Sequence, residues 1–421
     1  MSVPVIPQAP RTASVDARRW PDVARLPKSS RLRTAAAERF VRHAIGQLPL
    51  RVRLAGTAEP IGRGGPLMDV RDPHAFFRRI GANGLIGFGE SYMAGEWDAP
   101  DLVGALTVLA EHAATLIPEP MQRLRSLWAP KQPDRHRNTA EAARANISHH
   151  YDLSNELFSL FLDDTLTYSS AIFRGFPADH QLLPAAQHRK IDRLLDLAHV
   201  GPGTQLLEIG TGWGELAIRA AARGARVLTV TLSAEQQALA VQRARAAGMG
   251  DRVTVLLRDY RKVLGRYDAI VSVEMIEAVG AEYWPEYFMI LDRLLAPGGR
   301  VALQAITMPH ERMLASRATH TWIQKYVFPG GLLPSTEAVQ HVTDRFTGLS
   351  ITARDTFGPH YAETLRLWRE RFVARAAEVD ALGFDETFRR MWNLYLAYSE
   401  AGFRSGYLDV QQLQLTKGPT A

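Results

Sequence analysis

Glu208, Gly210, Gly212 and Gly214 form an E-x-G-x-G-x-G series inside LLEIGTGWGELA, residues 206 to 217. An apolar run that ends in an acid, with glycines at every second position after it, lets a strand hand the chain to a tight turn. A nucleoside can then lie against bare backbone there, at the start of a helix near Glu215. Glycine turns of this sort also serve NAD and FAD, so the neighbouring strand ends must discriminate. A dinucleotide site needs an acid at the end of the second strand and donors for a pyrophosphate. Here RVLTVTLS (226 to 233) ends in Thr231 and Ser233, just before Gln236; RVTVLLRDY (252 to 260) ends in Asp259 and Tyr260; the fourth strand ends in Glu274 and Glu277. Polar and aromatic strand ends, with no basic group aimed at a phosphate, fit S-adenosylmethionine better than a dinucleotide.

The elements that must position these residues are legible as a pattern. From Gln205 onward strands and helices alternate, which predicts an α/β fold with a doubly wound, mostly parallel, Rossmann-like sheet. Strands near 349 to 357 and 408 to 416, separated by two helices, would complete it. The segment from 308 to 348 breaks the alternation and is long for a plain connection, so it is expected to cover the cleft. Ahead of this domain, residues 1 to about 30 are rich in Pro, Ser and Arg and read as an arm. A short helix over Thr34 to Gly46, a strand at 51 to 56, and then strand, helix, glycine-rich turn and second helix over 69 to 113 make a small α+β domain. The polar PKQPDRHRNT (130 to 139) places the boundary, giving units 1 to 130 and 139 to 421.

Composition narrows the chemistry. The 421 residues contain no cysteine, which excludes disulfides, thiolate metal sites and iron–sulfur clusters, and with them radical S-adenosylmethionine chemistry. No 18-residue window is free of charge and nothing reads as a signal peptide, so a cytoplasmic protein is expected. The net charge of +6 is uneven: residues 1 to 137 hold 20 Lys and Arg against 13 Asp and Glu, and the remainder 30 against 31. The excess lies between Arg11 and Arg53, where 11 basic residues face three acidic ones. A solvated arm accounts for this. So does a surface drawn to anionic lipid headgroups, at about 1 kcal/mol per basic side chain. Nucleic acid ranks below both, since no aromatic residues are interleaved for base stacking.

Several stretches taken together resemble the cyclopropane-fatty-acyl-phospholipid synthase family: ISHHYDLSNELFSLFLDDTLTYSSAIF (147 to 173), LEIGTGWGELA, VTLSAEQQ, VEMIEAVG (273 to 280), KYVFPGGLLPS (325 to 335) and FGPHYAETLRLW (357 to 368). GFGESYMAGEW (87 to 97) is similar to the family's N-terminal domain, so the likeness covers nearly all of the chain beyond the arm. The resemblance implies methyl transfer from S-adenosylmethionine to the cis double bond of an acyl chain on a membrane phospholipid, with a lipid-binding N-terminal domain. It implies cofactor contacts at Tyr168, Ser169, Gly210, Gly212, Thr231, Ser233, Gln236 and Tyr260, with Glu208, Gly214 and Asp259 beside them. It also implies a bicarbonate ion held by a Cys, a Glu, a His, a backbone group and a Tyr. Glu277 and Tyr361 match that set. Ser170 stands in place of the Cys, Gln304 in place of a His, and Ala278 where many members have His after the Glu. These departures weaken the anion's ligand set. A peripheral position on the inner face of the membrane, a separate reductase acting on the product, and a homo-oligomer are further expectations, while nucleic acid and metal are not expected.

An alkene is a weak nucleophile, so with radicals excluded its π electrons must attack the sulfonium methyl and leave a carbocation. Aromatic faces stabilise such a cation, by about 2 kcal/mol when desolvated, and Tyr168, Phe173, Trp213, Tyr326 and Tyr361 are candidates. Water must be kept out and a base must take one proton. Glu277 is the expected carboxylate, as base or as the group that orients a bound anion, helped by Ser170, Gln304 and Tyr361. Glu274, three residues earlier, is read as a cofactor-side or structural hydrogen-bonding group. His149 and His150 read as surface or cap residues. Ring closure would give a cyclopropane. A hydride shift before proton loss would give an exocyclic methylene, and the altered base region favours that outcome. N-methylation of a small amine, or a noncatalytic protein that binds lipid and S-adenosylmethionine, are the other readings.

Overall fold

Hydrophobic alternation on the central strands decides which helix lies on which face. The computed structural model describes residues 15–113, 154–317 and 319–417, in two units, one of Met1–Val108 with Gly383–Leu394 and one of Leu109–Leu382 with Tyr395–Ala421. The boundary expected at 130 to 139, the first 14 residues and the pair His149–His150 lie outside the described residues.

In the first unit, β1 (Arg51–Leu54) pairs in parallel with β2 (Leu67–Val70), and β2 pairs antiparallel with β3 (Trp97–Asp98). Two features depart from expectation. Residues 15 to 30, read as arm, carry a short helix at Pro21–Ala24. That stretch is fixed by the buried Arg79 guanidinium, which donates to the carbonyls of Asp22 (2.9 Å) and Val23 (2.6 Å) while its Nε bonds Glu96 at 2.8 Å. A charged group so buried must have every donor met, and backbone carbonyls of the arm meet them. The glycine-rich stretch contains a helix, Leu85–Met93, where a turn was expected. Its glycine is there for packing: a Cβ on Gly87 would lie 2.1 Å from the Arg79 carbonyl oxygen on helix Pro73–Asn83.

The second unit is built on seven strands: β4 (Gln205–Ile209), β5 (Arg226–Thr231), β6 (Val253–Leu257), β7 (Tyr267–Val273), β8 (Leu295–Thr307), β9 (Leu349–Thr356) and β10 (Asp409–Lys417). Their order is β6-β5-β4-β7-β8-β10-β9, with β10 antiparallel to both neighbours. Successive side chains point to opposite faces. Leu206, Ala269 and Ala302 therefore pack with Ile191, Leu194, Leu216 and Ala220 from helices Leu183–Leu197 and Glu215–Ala222. Leu207, Ile270 and Val301 pack on the other side with Phe288, Leu291, Val339 and Val342 from helices Trp284–Leu294 and Thr336–Phe346.

Helix Thr336–Phe346 thus belongs to the sheet's flank, so the stretch that breaks the alternation ends near 335. Its amphipathic spacing of Val339 and Val342 is what commits it. The chain runs outward from β4 to β6 and then returns to β7 on the other side of β4, so the switch point falls between β4 and β7, where open sheets bind ligands. Among the described residues no helix is long and apolar enough to cross a membrane.

Candidate active site

At the carboxyl end of β4, Gly210, Gly212 and Gly214 adopt φ of +97°, +51° and +91°, a region closed to most side chains. Their reasons differ. A Cβ on Gly210 would stand 2.7 Å from Met275 Sδ and one on Gly214 3.0 Å from Ala240 Cβ, whereas one on Gly212 would meet nothing within 4 Å. The first and last permit packing; the middle one leaves the turn bare. Below it Glu208 is 3% exposed, and its Oε2 is buried without a hydrogen-bond partner among the described residues. Burial pushes that carboxyl up to about 8, against a hydrogen bond from Thr229 and the charge of Lys190.

At the end of β5, Thr231 Oγ1 donates to Gln236 Oε1 (2.8 Å), and Ser233 Oγ caps the next helix by accepting from Gln236 N (3.2 Å). Past β6, Asp259 is taken by Arg261 (Nη2 to Oδ2 2.6 Å), and Tyr260 packs edge-on to Tyr287 at 5.5 Å. Asp259 is therefore engaged by a guanidinium on its own turn. On the segment leading to helix Leu183–Leu197, Tyr168 OH lies 2.7 Å from Tyr395 OH and Ser169 Oγ accepts from Lys190 Nζ at 2.6 Å. A bare turn for a nucleoside, with carboxylates nearby for a cationic sulfonium and amine, fits S-adenosylmethionine.

β7 lies beside β4, Ile209 opposite Ser272, so the residues just past β7 stand next to the glycine turn. Met275, which leans on Gly210, follows Glu274. Glu274 has φ +52°, uncommon for a residue with a side chain and costing on the order of 1 kcal/mol. Its carboxylate collects three donors: Ser170 N (3.0 Å) and Gln304 Nε2 (2.8 Å) on Oε1, Tyr361 OH (2.7 Å) on Oε2. Gln304 is itself oriented by Gln412 Nε2, which donates to its Oε1 at 3.0 Å and leaves the amide hydrogens for the carboxylate. Burial raises the Glu274 pKa, while the three hydrogen bonds and Lys190 oppose the rise. Burial and the Glu274 charge hold Tyr361 well above its ordinary value, so it stays a neutral donor. Tyr168 and Tyr361 flank Trp368 at 5.3 and 6.2 Å between ring centroids, forming an aromatic wall beside the carboxylate.

Ser170, Gln304 and Tyr361, expected around Glu277, converge on Glu274 instead. Ser170 contributes its amide, its hydroxyl being given to the Ala171 carbonyl at 3.1 Å. Glu277 has a separate environment. Its Oε1 accepts from Ile306 N at 2.6 Å, and its Oε2 is buried without a partner among the described residues. Burial, then the charge of Glu274, pushes its carboxyl up to about 8. Of the other aromatic candidates, Trp213 is 3% exposed with its Nε1 on Asn155, Phe173 packs by His360, and Tyr326 by Trp322.

Two residues escaped the sequence reading. Gln412 carried no signal, since one Gln on a C-terminal strand looks like any other. Lys190 did carry one: it falls between Ala186 and Leu194 on the apolar face of its helix, where a charge needs a purpose. Fully buried, it is pulled down to about 8 by desolvation against the charges of Glu274, Asp163 and Glu208.

A bicarbonate does not fit beside these groups. The Ser170 amide, the Gln304 amide and the Tyr361 hydroxyl are spent on Glu274, the nearby Ile306 amide is spent on Glu277, and a free anion would face the Glu274 carboxylate.

Comparison with known proteins adds four findings. A family model described as mycolic acid cyclopropane synthetase matches residues 138–413. The chain is 55% identical over 420 residues to tuberculostearic acid methyltransferase UfaA1 of Mycobacterium tuberculosis, covering 97% of this chain and 98% of that one. It is 34% identical over 361 residues to cyclopropane-fatty-acyl-phospholipid synthase of Escherichia coli, covering 83% and 87%. Among solved structures, mycolic acid cyclopropane synthase CmaA1 complexed with SAH and CTAB superposes with a TM-score of 0.59 at 33% identity, covering 68% of this chain and 99% of that one.

Proposed function

This chain belongs to the mycolic acid cyclopropane synthetase family of S-adenosylmethionine-dependent lipid methyltransferases, and from that premise we propose that it converts a cis double bond of a phospholipid acyl chain into an exocyclic methylene group. The observation that carries the reading is the carboxylate pair Glu274 and Glu277 at the switch point, next to the bare turn at Gly212 and the aromatic wall of Tyr168, Trp368 and Tyr361. When bound, S-adenosylmethionine supplies an electrophilic methyl to one carbon of the double bond. The adjacent carbon becomes cationic, and the faces of Tyr168 and Tyr361 are suited to stabilise it. A hydride then moves from the methylated carbon to its neighbour, leaving a tertiary cation. The carboxylate pair removes one proton from the new methyl, and the C–H electrons form the methylene double bond. Loss of the same proton before the hydride shift would close a cyclopropane.

The methylene outcome is favoured by the relative matched over nearly the whole of both chains, which is named for tuberculostearic acid and not for a cyclopropane. A reductase acting afterwards would turn the methylene into a methyl branch. The arginine excess before Arg53 supports an anionic membrane as the place of work. The decisive experiment incubates the protein with S-adenosylmethionine and vesicles of anionic oleoyl phospholipid and analyses the released fatty esters by mass spectrometry. A methylene-bearing ester is expected, distinguished from its cyclopropane isomer by ozonolysis to a ketone. Only ozone-resistant product would overturn the proposal.

A further inference from the structure

Resting on the acyl-methylation reading, we infer that Glu274 is a built-in replacement for a bound anion: its own carboxylate fills the three-donor cage and accepts the substrate proton, so the reaction needs no bicarbonate. The cage is complete without a guest. Ser170 N, Gln304 Nε2 and Tyr361 OH place three donors on the two oxygens at 3.0, 2.8 and 2.7 Å, and Gln412 orients the glutamine from behind. All three donors are neutral, which keeps a carboxylate in place without the full charge of an ion pair.

A donor cage open to an exogenous anion would instead leave these groups unspent, or provide a cation to hold the guest. Lys190, the buried ammonium nearby, is committed to Ser169 Oγ at 2.6 Å. The side chain reaches the cage only because the backbone at residue 274 takes φ +52° and because Glu274 N is held on the Gln304 carbonyl at 2.8 Å. A positive φ is a costly conformation for glutamate and an easy one for glycine. The step balances: the cationic chain loses one proton and keeps the C–H electrons as the new double bond, and the carboxylate becomes a carboxylic acid that later releases the proton to solvent. Tyr361 and Gln304 are positioning residues in this scheme.

The same backbone feature supplies the test. Glu274→Gly is suited to φ +52° and opens the cage, while Glu274→Gln keeps its shape without a base. In buffer stripped of carbon dioxide the wild type should turn over within about twofold of its rate with added bicarbonate, and calorimetry should register no bicarbonate binding. Glu274→Gly should lose at least about 100-fold in stripped buffer, bind bicarbonate, and regain about tenfold or more when it is added. Glu274→Gln should lose a similar factor, bind S-adenosylmethionine with unchanged affinity, and show no rescue. Wild-type turnover that falls on stripping and returns with bicarbonate overturns the inference, as does bicarbonate binding to the wild type or full activity of either variant in stripped buffer. If the wild type methylates no acyl lipid at all, the parent reading fails, and the bicarbonate calorimetry still decides whether the cage is self-filled.

Discussion

The glycine turn and the Glu274 cage lie side by side at the switch point yet are built in opposite ways. The turn comes from one continuous stretch, residues 208 to 214, whose three glycines take backbone angles that are costly for other residues. The cage draws Ser170, Glu274, Gln304, Tyr361 and Gln412 from five separate places in the chain. A turn specified by backbone conformation is written locally. A cage specified by donors is written only in how strands β7, β8 and β10, the segment at Ser170 and helix Gly358–Ala374 come together. The two regions should therefore fail differently, the turn losing cofactor affinity and the cage losing proton transfer.

The sharpest way to break this contrast is at the turn. Gly212→Ala places a methyl in the open space above the backbone, and we expect affinity for S-adenosylmethionine to fall by about tenfold or more in calorimetry, with a modest loss of melting temperature from a strain of about 1 kcal/mol. Gly214→Ala should reverse the ranking, because its methyl would press on Ala240 at 3.0 Å and destabilise the fold first. Equal effects on affinity and stability at both positions would remove the distinction between a bare turn and a packed one.

At the cage, Lys190→Met removes the cation that favours ionised Glu274. The Glu274 pKa should then rise further, so the acid limb of the pH–rate profile moves to higher pH. Turnover drops on the acid side of the profile and is recovered as pH rises, with cofactor affinity little changed. A loss independent of pH would mean that Lys190 serves packing alone. The smallest effect concerns Glu277, whose folded-state pKa of about 8 lies above its ordinary 4.5. Between those values the folded protein holds a proton that the unfolded chain has released, so this group's contribution to stability declines as pH rises from about 4.5 to about 8. Glu277→Gln escapes that decline, and its melting temperature relative to wild type should climb by a few degrees from pH 5 to pH 9. A flat difference would show that Glu277 is solvated.

The expected doubly wound sheet and the terminal strand pair stand in the structure because alternation of apolar residues is a property of the strand itself. The glycines announced their turn for the same reason. Helix Leu85–Met93 was hidden because glycines lower helix propensity, and only the neighbouring helix, 2.1 Å from a would-be Gly87 side chain, explains why they are tolerated.

What the chain by itself determined is the fold class, the site of the cofactor turn and the set of polar residues available to the chemistry. Which of two glutamates three positions apart receives the donors was decided by tertiary structure alone. Both are carboxylates on the same loop, and sequence spacing treats them alike. The positive φ at Glu274 and the alignment of Gln304 with Gln412 across the sheet give one of them three hydrogen bonds and leave Glu277 with the Ile306 amide. Hydrogen bonds depend on distances of a few tenths of an ångström between residues here as much as 108 positions apart, and no local pattern in the chain encodes those.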